Sequence, residues 1–384
     1  MRDVVIVGGG PAGSKTAAML AKDHDVLVVE EHTKVGEPIQ CAGLVTEKSI
    51  ELAGIRPDII NRFRGANVIF PNGNVVTVRS DDVKAVMIDR TDFDTRLAEA
   101  AMDAGAEYSF STRYEHHSVD DGIATVSTSN GDIQTKLIVG ADGHSSKVAS
   151  SIPDNEPKEY IRGIEYDVRH TMDEQDIINI RIGSDVAPGL FSWEIPFGEF
   201  TRVGLCSNWS AGPPIDHLKT VMKKAGLEDC EIIKKYCGKV PLGGRRAIFD
   251  DNLMLIGDAA AQVKPVSAGG IYPAMMSVKP LCETAEQAFS FDDFSIRVMA
   301  GYENRWRPLV GKELERSYRL RKAYMKFTDE DMNSLYPYMA KKSVNEALNS
   351  VDIDSPSLSA PLVFRNIPTA IKVAVTVMKA KVRR

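Results

Sequence analysis

Three glycines and one glutamate near the start of the chain form a pattern that can hold a dinucleotide. Gly8, Gly10 and Gly13 follow the apolar stretch Val4 to Val7 and precede apolar residues at helical spacing. In such a turn the first glycine permits a tight bend, the second lets backbone approach a pyrophosphate, and the third lets helix and strand pack closely. Glu30 ends the next apolar stretch about 20 residues further on, where a carboxylate can accept hydrogen bonds from ribose hydroxyls.

A second anchor lies far downstream and indicates which dinucleotide is bound. The apolar stretch Leu253 to Ile256 ends in Gly257 and Asp258, and Gly269 and Gly270 precede Ile271 at the start of a predicted helix. A flavin has a ribityl chain and a second phosphate to hold, whereas a nicotinamide nucleotide, which has a ribose in place of the ribityl chain, does not need this second anchor. Asp258 can accept a hydrogen bond from a ribityl hydroxyl, while the amides near the two glycines face the phosphate or the flavin ring. The pairing predicts FAD.

Composition excludes several classes of protein. The chain has 384 residues, 43% of them hydrophobic, and a formal net charge of -6. Without a basic stripe, nucleic acid is not an expected partner. Neither Cys230 with Cys237 nor His116 with His117 forms a zinc-like arrangement, so no metal is predicted. The five cysteines are scattered, which fits a reducing compartment. No signal peptide is evident, and no apolar run reaches the roughly 20 residues that span a bilayer. These features favour a cytoplasmic enzyme.

The order of the flavin motifs predicts the domain organisation. Because these motifs lie at both ends of the first 285 or so residues, the FAD-binding unit must be discontinuous. The predicted fold class is α/β with an α+β insert: a Rossmann-like FAD-binding domain, an inserted antiparallel-sheet substrate domain and a helical C-terminal region. The predicted boundaries are 1–66, 81–150 and 246–290 for the FAD-binding domain, 67–80 and 151–245 for the substrate domain, and 291–384 for the helical region.

Alternation of β-branched and aromatic residues predicts the strands of the insert. The four predicted strands are Tyr160 to Arg169, Ile177 to Ile182, Leu190 to Pro196 and Phe200 to Ser207. A hairpin predicted over Asn67 to Val78 is expected to join their sheet. Helical spacing predicts helices over Asp216 to Ala225 and, after Pro280, over Leu281 to Phe289, Phe294 to Met325 and Asp331 to Leu348.

Two further segments lie between the flavin anchors in a recognisable order. They are Asp89 to Asp94, which contains Arg90, and Ile138 to Gly143, which contains Asp142. With the glycine turn and the Gly257-Asp258 strand, this order resembles the FAD-binding fold of the p-hydroxybenzoate hydroxylase-like flavoproteins. The resemblance implies that Arg90 reaches the flavin nucleotide and that Asp142 closes the central strand beside it.

The stretch from Phe191 to Gly204 narrows the resemblance to the geranylgeranyl reductase family. That family carries a tyrosine-x-tryptophan-x-phenylalanine-proline motif followed, after seven or eight residues, by Gly-x-Gly. This chain matches at Trp193, Pro196 and Gly204 and departs at Phe191, Ile195 and Cys206. The resemblance implies that Phe191, Trp193 and Pro196 contact a prenyl substrate. The alternative is that Phe191, Trp193 and Ile195 simply form one core face of a strand.

A cysteine loop after the ribose-binding strand is a second family feature. The family's Cys-Ala-Glu-Gly is shortened here to Cys41, Ala42 and Gly43. The resemblance places Cys41 beside the flavin ring, where its thiol could orient substrate or supply a proton; alternatively, Cys41 is a small buried hydrophobic residue. The full set of predicted FAD contacts is Gly8, Gly10, Ala12, Gly13, Glu30, Cys41, Ala42, Gly43, Arg90, Asp142, Asp258, Gly269, Gly270 and Ile271.

The end of the chain combines apolar and cationic residues. Pro361 to Phe364 and Ile367 to Met378 are apolar, and the cations are Lys372, Lys379, Lys381, Arg383 and Arg384. This composition suits a helix that lies peripherally on an anionic membrane surface. A C-terminal helix docked on the protein, with a frayed basic end, explains the pattern equally well.

The family resemblance implies an FAD-dependent reductase that saturates geranylgeranyl chains of archaeal membrane lipid precursors, such as 2,3-di-O-geranylgeranylglyceryl phosphate or its phospholipids. Because no second glycine turn is present for a nicotinamide, an external electron donor is expected: reduced ferredoxin, a deazaflavin or a transiently bound NAD(P)H. Two alternatives stay open. An aromatic monooxygenase or halogenase would share every FAD motif, and a noncatalytic flavin-dependent lipid-binding protein would also fit.

Overall fold

The computed structural model describes residues 1–39, 41–357 and 367–382, and its strands are labelled here in chain order. They are β1 Arg2–Val7, β2 Val26–Val29, β3 Leu44–Val45, β4 Ile59–Phe63, β5 Gly65–Ile69, β6 Val75–Arg79, β7 Ala85–Ile88, β8 Glu107–Ser109, β9 Tyr114–Asp120, β10 Ile123–Thr128, β11 Gly131–Gly140, β12 Glu159–Arg169, β13 Ile177–Arg181, β14 Ser192–Phe197, β15 Phe200–Asn208, β16 Ile232–Leu242, β17 Phe249–Asp250 and β18 Leu253–Leu255.

The helices are labelled in the same way. They are α1 Pro11–Leu20, α2 Glu47–Ala53, α3 Arg90–Asp103, α4 Lys147–Ser150, α5 Pro214–Ala225, α6 Ile271–Phe291, α7 Ile296–Trp306, α8 Lys312–Tyr324, α9 Asp329–Met339, α10 Lys342–Asn349 and α11 Ile367–Val382. A π-helical turn, Arg307–Gly311, joins α7 to α8, and single 3₁₀ turns occupy Gly143–Ser145, Trp209–Ala211 and Gly257–Ala260.

The largest sheet of the described chain has eight strands, in the order β17-β18-β11-β1-β2-β8 with β10 and then β9 attached beside β11. Strand β1 pairs parallel with β2 and β11, and β11 pairs parallel with β18. Val4 to Val7 are all buried, as expected for a parallel strand covered on both faces. The carboxyl ends of these strands therefore bring Gly8, Glu30, Ala141 and Ile256 to one edge of the sheet, the edge where α/β proteins bind ligands.

The second sheet contains the predicted insert. Among the described residues it has seven strands in the order β16-β12-β15-β14-β13-β5-β6. The four predicted strands are confirmed as β12 to β15, and the predicted hairpin, β5 and β6, joins them. The sheet is not wholly antiparallel, because β5 and β13 pair parallel. On one face, Leu218 and Val221 of α5 pack against Val203 and Leu205.

Two parts of this region were not predicted. The first is β16, an edge strand that pairs with β12 along most of its length. Its consecutive lysines Lys234 and Lys235 interrupt the apolar alternation, as is common at sheet edges. The second is a small sheet in the order β3-β7-β4, which lies in the chain between the cysteine loop and α3.

The predicted helix start at Ile271 is confirmed, whereas the prediction of a separate helix that begins at Leu281, after Pro280, is wrong. Helix α6 begins at Ile271 and continues through Pro280. The buried residues Met275, Val278 and Leu281 hold both halves of this helix in the core of the large sheet, so packing compensates for the hydrogen bond that proline cannot make.

The later helices differ from the predictions mainly at their boundaries. The segment predicted as one helix over Phe294 to Met325 is α7, the π turn and α8. The segment predicted over Asp331 to Leu348 is divided at Ala340 and Lys341 into α9 and α10. Met299 and Tyr302 of α7 lie in the same core as the large sheet, so this helix belongs structurally with it.

The cationic C-terminal segment is described only in part. Pro361 to Phe364, Arg383 and Arg384 lie outside the described residues, while α11 packs against α9 and α8. Ile371 and Met378 of α11 are exposed. Among the described helices, none is long and apolar enough to cross a bilayer.

Candidate active site

The three glycines of the turn between β1 and α1 have different roles: two are required for close packing, and one borders unoccupied space. Gly8 has a φ of +100°, and a Cβ there would lie 2.5 Å from the carbonyl oxygen of Ala141. A Cβ on Gly13 would overlap the carbonyl oxygen of Gly8. A Cβ on Gly10, by contrast, would meet no atom within 4 Å. Gly8 and Gly13 are therefore required by the fold, whereas Gly10 keeps space clear above the backbone.

The start of α1 adds an electrostatic reason for an anion to occupy that space. Gly10 is the N-cap and Pro11 is the first helical residue, so in the described chain no side chain caps the first turn. The amides of a helix N-terminus and its dipole attract phosphate. The turn is thus shaped for a pyrophosphate, as predicted from Gly8, Gly10 and Gly13.

Glu30 lies at the end of β2 with its carboxylate held in place. One oxygen accepts a hydrogen bond from the Gly9 amide at 2.8 Å. The other accepts from the His32 amide at 3.0 Å and lies 2.6 Å from the His32 ring. A carboxylate fixed in this way has a defined position in the cavity wall, which suits the predicted contact with ribose hydroxyls.

The carboxyl group of Asp142 stabilises the local turn. It accepts hydrogen bonds from the Ser146 hydroxyl at 2.6 Å and from the Val148 amide at 3.1 Å. Burial raises its pKa, and the hydrogen bonds oppose this effect. Asp142 therefore holds together the chain between β11 and α4.

Asp258 presents an unpaired carboxyl group to the cavity. Burial raises its pKa to about 6, and the charge of Arg90 opposes that shift. Among the residues that the structure describes, none donates a hydrogen bond to this carboxyl group. A Cβ on Gly270 would lie 2.7 Å from Asp258 Oδ1, so glycine is needed where α6 begins. An unpaired, half-buried acceptor beside a cleared helix start fits the ribityl chain of a flavin.

These groups surround one cavity of about 560 Å³. Of the predicted FAD contacts, the cavity is lined by Gly8, Gly10, Ala12, Glu30, Cys41, Arg90, Asp142, Asp258, Gly270 and Ile271. Gly13, Ala42, Gly43 and Gly269 do not line it: Gly13 lies beneath the turn and Gly269 lies against Lys264. The open turn at Gly10 and the unpaired Asp258 together show that the cavity suits FAD.

Arg90 connects the cavity to the cysteine loop. Its guanidinium donates to both carboxylate oxygens of Asp94 at 3.0 Å. Burial lowers the pKa of Arg90, but the neighbouring Asp94 and Cys41 outweigh this effect and raise it. Arg90 is therefore a permanent cation beside the Cys41 thiol.

The cysteine loop is held from both sides. The Gly43 amide donates to Cys41 Sγ at 3.5 Å, and the Ile88 amide donates to the Gly43 carbonyl at 2.9 Å. From the second sheet, Arg202 donates to the Ala42 carbonyl at 2.8 Å. Gly43 has a φ of +75°, which explains the glycine in the shortened loop. Gln40, which precedes Cys41, lies outside the described residues.

The predicted substrate residues lie on the second sheet and do not line the cavity. The rings of Phe191 and Trp193 meet edge to face with centroids 6.1 Å apart. Trp193 belongs to one apolar cluster with Ala42 and Leu44 and to another with Ala268. Its face of the sheet therefore covers both the cysteine loop and the loop that precedes α6. Pro196 does not share that face, because alternate residues of β14 point to opposite sides. Its carbonyl accepts a hydrogen bond from Asn61.

Comparisons with known proteins agree with this geometry. A family model for an FAD binding domain matches residues 1–193. The chain is 32% identical over 353 residues to digeranylgeranylglycerophospholipid reductase 2 of Methanococcoides burtonii, with 87% of this chain and 86% of that protein covered. It is 30% identical over 368 residues to digeranylgeranylglycerophospholipid reductase of Methanocaldococcus jannaschii, with 91% and 92% covered. The chain belongs to the digeranylgeranylglycerophospholipid reductase family.

Solved structures show the same fold. A geranylgeranyl bacteriochlorophyll reductase-like protein from Thermoplasma acidophilum superposes with a TM-score of 0.86 at 22% identity, covering 98% of this chain and 99% of that one. A halogenase in complex with FAD superposes with a TM-score of 0.68 at 15% identity, covering 97% and 85%. The fold is thus shared with halogenases, whereas the two sequence relatives described above are named reductases. The predictions of an FAD cofactor, an oxidoreductase and the family are confirmed.

Sequence reasoning missed some residues that line the cavity. Gly238, Lys239 and Val240 reach it from β16, and His144 follows Asp142. Lys239 Nζ lies 3.7 Å from the centroid of the Tyr160 ring, which positions its charge at the cavity. The only available signal was the polar-apolar sequence of β16, which was not predicted as a strand. Among the described residues there is no group of three or more potential metal ligands.

Proposed function

We propose that this protein is an FAD-dependent reductase that saturates the double bonds of geranylgeranyl chains in archaeal membrane lipid precursors. The expected substrates are 2,3-di-O-geranylgeranylglyceryl phosphate or its phospholipids. The observation that carries the proposal is the relationship to named reductases over nearly the whole chain, including both sheets. A shared flavin domain alone would leave the chemistry open.

Different residues of the chain would bind the cofactor and position the substrate. Bound and reduced FAD supplies a hydride. The backbone around Gly10 would hold the pyrophosphate, Glu30 the ribose and Asp258 the ribityl chain. Isolated alkenes are poor hydride acceptors, so precise placement in a dry pocket has to lower much of the barrier. The apolar face around Phe191 and Trp193, which lies over the Cys41 loop, is the surface expected to place the alkene.

Cys41 has a positioning role in this proposal. Its sulfur lies beside the Arg90 cation and accepts a hydrogen bond from the Gly43 amide, so the loop geometry depends on it. We further propose that electrons come from an external donor, namely reduced ferredoxin, a deazaflavin or NAD(P)H. The protein is expected in the cytoplasm, with peripheral contact to the membrane that contains its substrate. We keep the three predicted domains, except that α7, whose Met299 and Tyr302 lie in the core of the large sheet, is assigned to the FAD-binding domain.

The function is tested without oxygen. Chemically reduced protein mixed anaerobically with 2,3-di-O-geranylgeranylglyceryl phosphate should yield products heavier by two hydrogens per saturated bond, measured by mass spectrometry. An oxygen atom or halogen inserted into an aromatic compound in air, with no anaerobic hydrogen gain, would assign the protein to the oxygenases or halogenases. Lipid bound without any turnover would assign it to the binding proteins.

A further inference from the structure

A row of side chains crosses the second sheet on the face that carries Trp193. In this row Trp193 of β14 pairs with Gly204 of β15, Gly204 with Glu165 of β12, and Glu165 with Tyr236 of β16. A Cβ on Gly204 would lie 2.8 Å from the Trp193 ring and 2.5 Å from the Glu165 side chain. The glycine of the family motif therefore allows the indole and this glutamate to approach each other.

Glu165 is a buried carboxyl group without a cation of its own. The nearby Arg202 is committed to Asp167, to which it donates two hydrogen bonds of 2.7 and 2.8 Å. Tyr236 also donates to Asp167, at 2.8 Å. Arg202 also donates to the Tyr236 hydroxyl at 3.1 Å and to the Ala42 carbonyl at 2.8 Å. The only carboxylate that this arrangement neutralises directly is Asp167.

Two buried polar atoms stay unpaired in the same place. Among the described residues, neither Glu165 Oε2 nor the indole nitrogen of Trp193 makes a hydrogen bond of normal geometry, although the indole N–H lies close enough to the carboxyl group to lower its pKa. Glu165 is only 5% exposed. Buried polar atoms are normally paired, so a carboxyl oxygen left without a well-formed hydrogen bond beside the predicted substrate residue Trp193 suggests a functional role.

The charge state of Glu165 follows from these surroundings. Burial raises its pKa to about 7, and Asp167 adds to this shift, whereas the Arg202 charge and the Trp193 indole oppose it. A carboxyl group in this range can hold a proton and release it at neutral pH, which is the property of a general acid. The titratable or charged groups around it are Arg202 and Cys206 of β15, Asp167 of β12 and Tyr236 of β16.

Glu165 also lies on the face of the second sheet that is directed towards the cysteine loop. The same face is joined to the cysteine loop by the bond from Arg202 to Ala42. The thiol of Cys206, on this face, has its pKa raised to about 12 by burial, by Glu165 and by Cys41, which places both groups within electrostatic reach of it. The face that carries Glu165 therefore covers the cysteine loop, although Glu165 itself does not line the FAD cavity.

We propose that Glu165 is the proton donor of the saturation reaction, an inference that rests on the proposed function. The electron pair of the N5–H bond of the reduced flavin moves as hydride to one alkene carbon. The other alkene carbon takes the proton from the Glu165 carboxyl O–H bond. The flavin is oxidised, the alkene is reduced, and Glu165 is left as a carboxylate that regains a proton from water after the product leaves.

The test compares Glu165→Gln with the unmodified protein in anaerobic single turnovers. The variant keeps the volume and polarity of the side chain but has no acidic proton. We expect unchanged FAD content and unchanged reduction by dithionite, with saturation of 2,3-di-O-geranylgeranylglyceryl phosphate at least about 100-fold slower, as is typical of lost general acid catalysis. The unmodified protein should lose activity as the pH rises through about 7, and the residual rate of Glu165→Gln should not follow pH.

Two further variants separate proton donation from structure. Glu165→Asp keeps an acid and should keep both activity and its decline above neutral pH. Tyr166→Phe changes the next residue, which faces the opposite side of β12, and should behave as the unmodified protein. Wild-type saturation by Glu165→Gln, or a pH profile that this variant leaves intact, would overturn the proposal. If Glu165→Gln does not fold, the proposal would be overturned by a saturation rate of Glu165→Asp that stays constant across pH 6 to 8.

An infrared measurement keeps this inference distinct from the proposed function. The carbonyl band of a protonated carboxyl group should be present below about pH 7, disappear above it and be missing in Glu165→Gln. If the band is present but the lipid is never saturated, the proposed function fails while Glu165 still holds its proton. If the lipid is saturated but the band is missing, Glu165 is not the donor.

Discussion

Gly10 and Gly13 lie three residues apart, yet a methyl group would have opposite consequences at the two positions. At Gly13 it would overlap the Gly8 carbonyl, whereas at Gly10 it would project into open space. We expect Gly13→Ala to destabilise the protein by several kcal/mol, as overpacking does. Gly10→Ala should fold normally and bind FAD at least about 10-fold more weakly, because the methyl group occupies pyrophosphate space.

The measurement for this pair is urea unfolding together with FAD titration. Gly10→Ala is the matched control for the stability of Gly13→Ala. Gly13→Ala is the matched control for the FAD affinity of Gly10→Ala. Equal stability of the two variants would contradict the assignment of Gly13 to packing. Full FAD affinity in Gly10→Ala would contradict the position proposed for the pyrophosphate.

Asp258 should make the flavin-free protein sensitive to pH. Its pKa is near 3.8 in an unfolded chain and about 6 in the folded one. The folded state therefore binds the proton more tightly, and the stabilisation present below pH 4 is lost as the pH rises through about 6. Asp258→Asn should remove this loss, which amounts to at most roughly 3 kcal/mol, since one pKa unit corresponds to about 1.4 kcal/mol.

Unfolding of the FAD-free protein at pH 4 and pH 7 measures this effect. Asp258→Ala tests the other role of the side chain and should weaken FAD binding by about 10-fold through loss of the ribityl acceptor. Glu30→Arg provides a comparison, since it should weaken the adenosine half. A pH dependence identical in Asp258→Asn and the unmodified protein would show that another group is responsible.

At the scale of elements, a segment near the C-terminus is attached to a flavin loop by a buried ion pair. Lys264 Nζ lies 2.7 Å from Asp354, and both side chains are buried. Asp354 also accepts a hydrogen bond of 2.6 Å from Thr46, the N-cap of α2. The loop that begins at Lys264 closes through backbone hydrogen bonds with Ala268 and Gly269. The segment therefore holds together two loops that border the FAD cavity.

Breaking this pair should be costly. Asp354→Ala leaves a buried ammonium without a partner, and we expect a loss of about 3–5 kcal/mol in the free energy of unfolding. FAD affinity should fall as well, because the loop leads into Gly270. The double variant Lys264→Met with Asp354→Leu should recover most of the stability, since it removes both charges. Urea unfolding measures all three proteins, and a loss below about 1 kcal/mol for Asp354→Ala would contradict the importance of this contact.

At the scale of the whole molecule, the FAD cavity and the residues predicted to contact substrate belong mainly to different sheets. The FAD cavity lies at one edge of the large sheet, whereas Trp193 lies on the second sheet and does not line that cavity. The two functions should therefore separate by mutation. We expect Trp193→Ala to keep most of its FAD while saturation slows by at least about 10-fold, because alkene placement is disturbed.

Flavin absorbance and the anaerobic saturation assay measure the two properties in the same preparation. Pro196→Ala is the matched control, since Pro196 lies on the opposite face of β14, and it should affect saturation less than Trp193→Ala. Loss of FAD together with folding in Trp193→Ala would show that Trp193 is mainly a core residue.

The amino-acid sequence alone determined what depends on neighbouring residues along the chain. The glycine turn, the glutamate at the end of β2 and the alternation of β12 to β15 are local patterns, because turn geometry and strand periodicity act over a few residues. The same reasoning failed at Pro280, where packing against a distant sheet maintains α6.

Only the tertiary structure decided which charges are paired. The sequence gives no sign that Arg202 neutralises Asp167 rather than Glu165, that Lys264 meets Asp354, or that Lys239 reaches the FAD cavity from an unpredicted edge strand. These pairings join residues far apart in the chain, and their strength depends on burial, which is a property of the assembled core. For the same reason, the proton donor could not be named from sequence and was inferred from the folded chain.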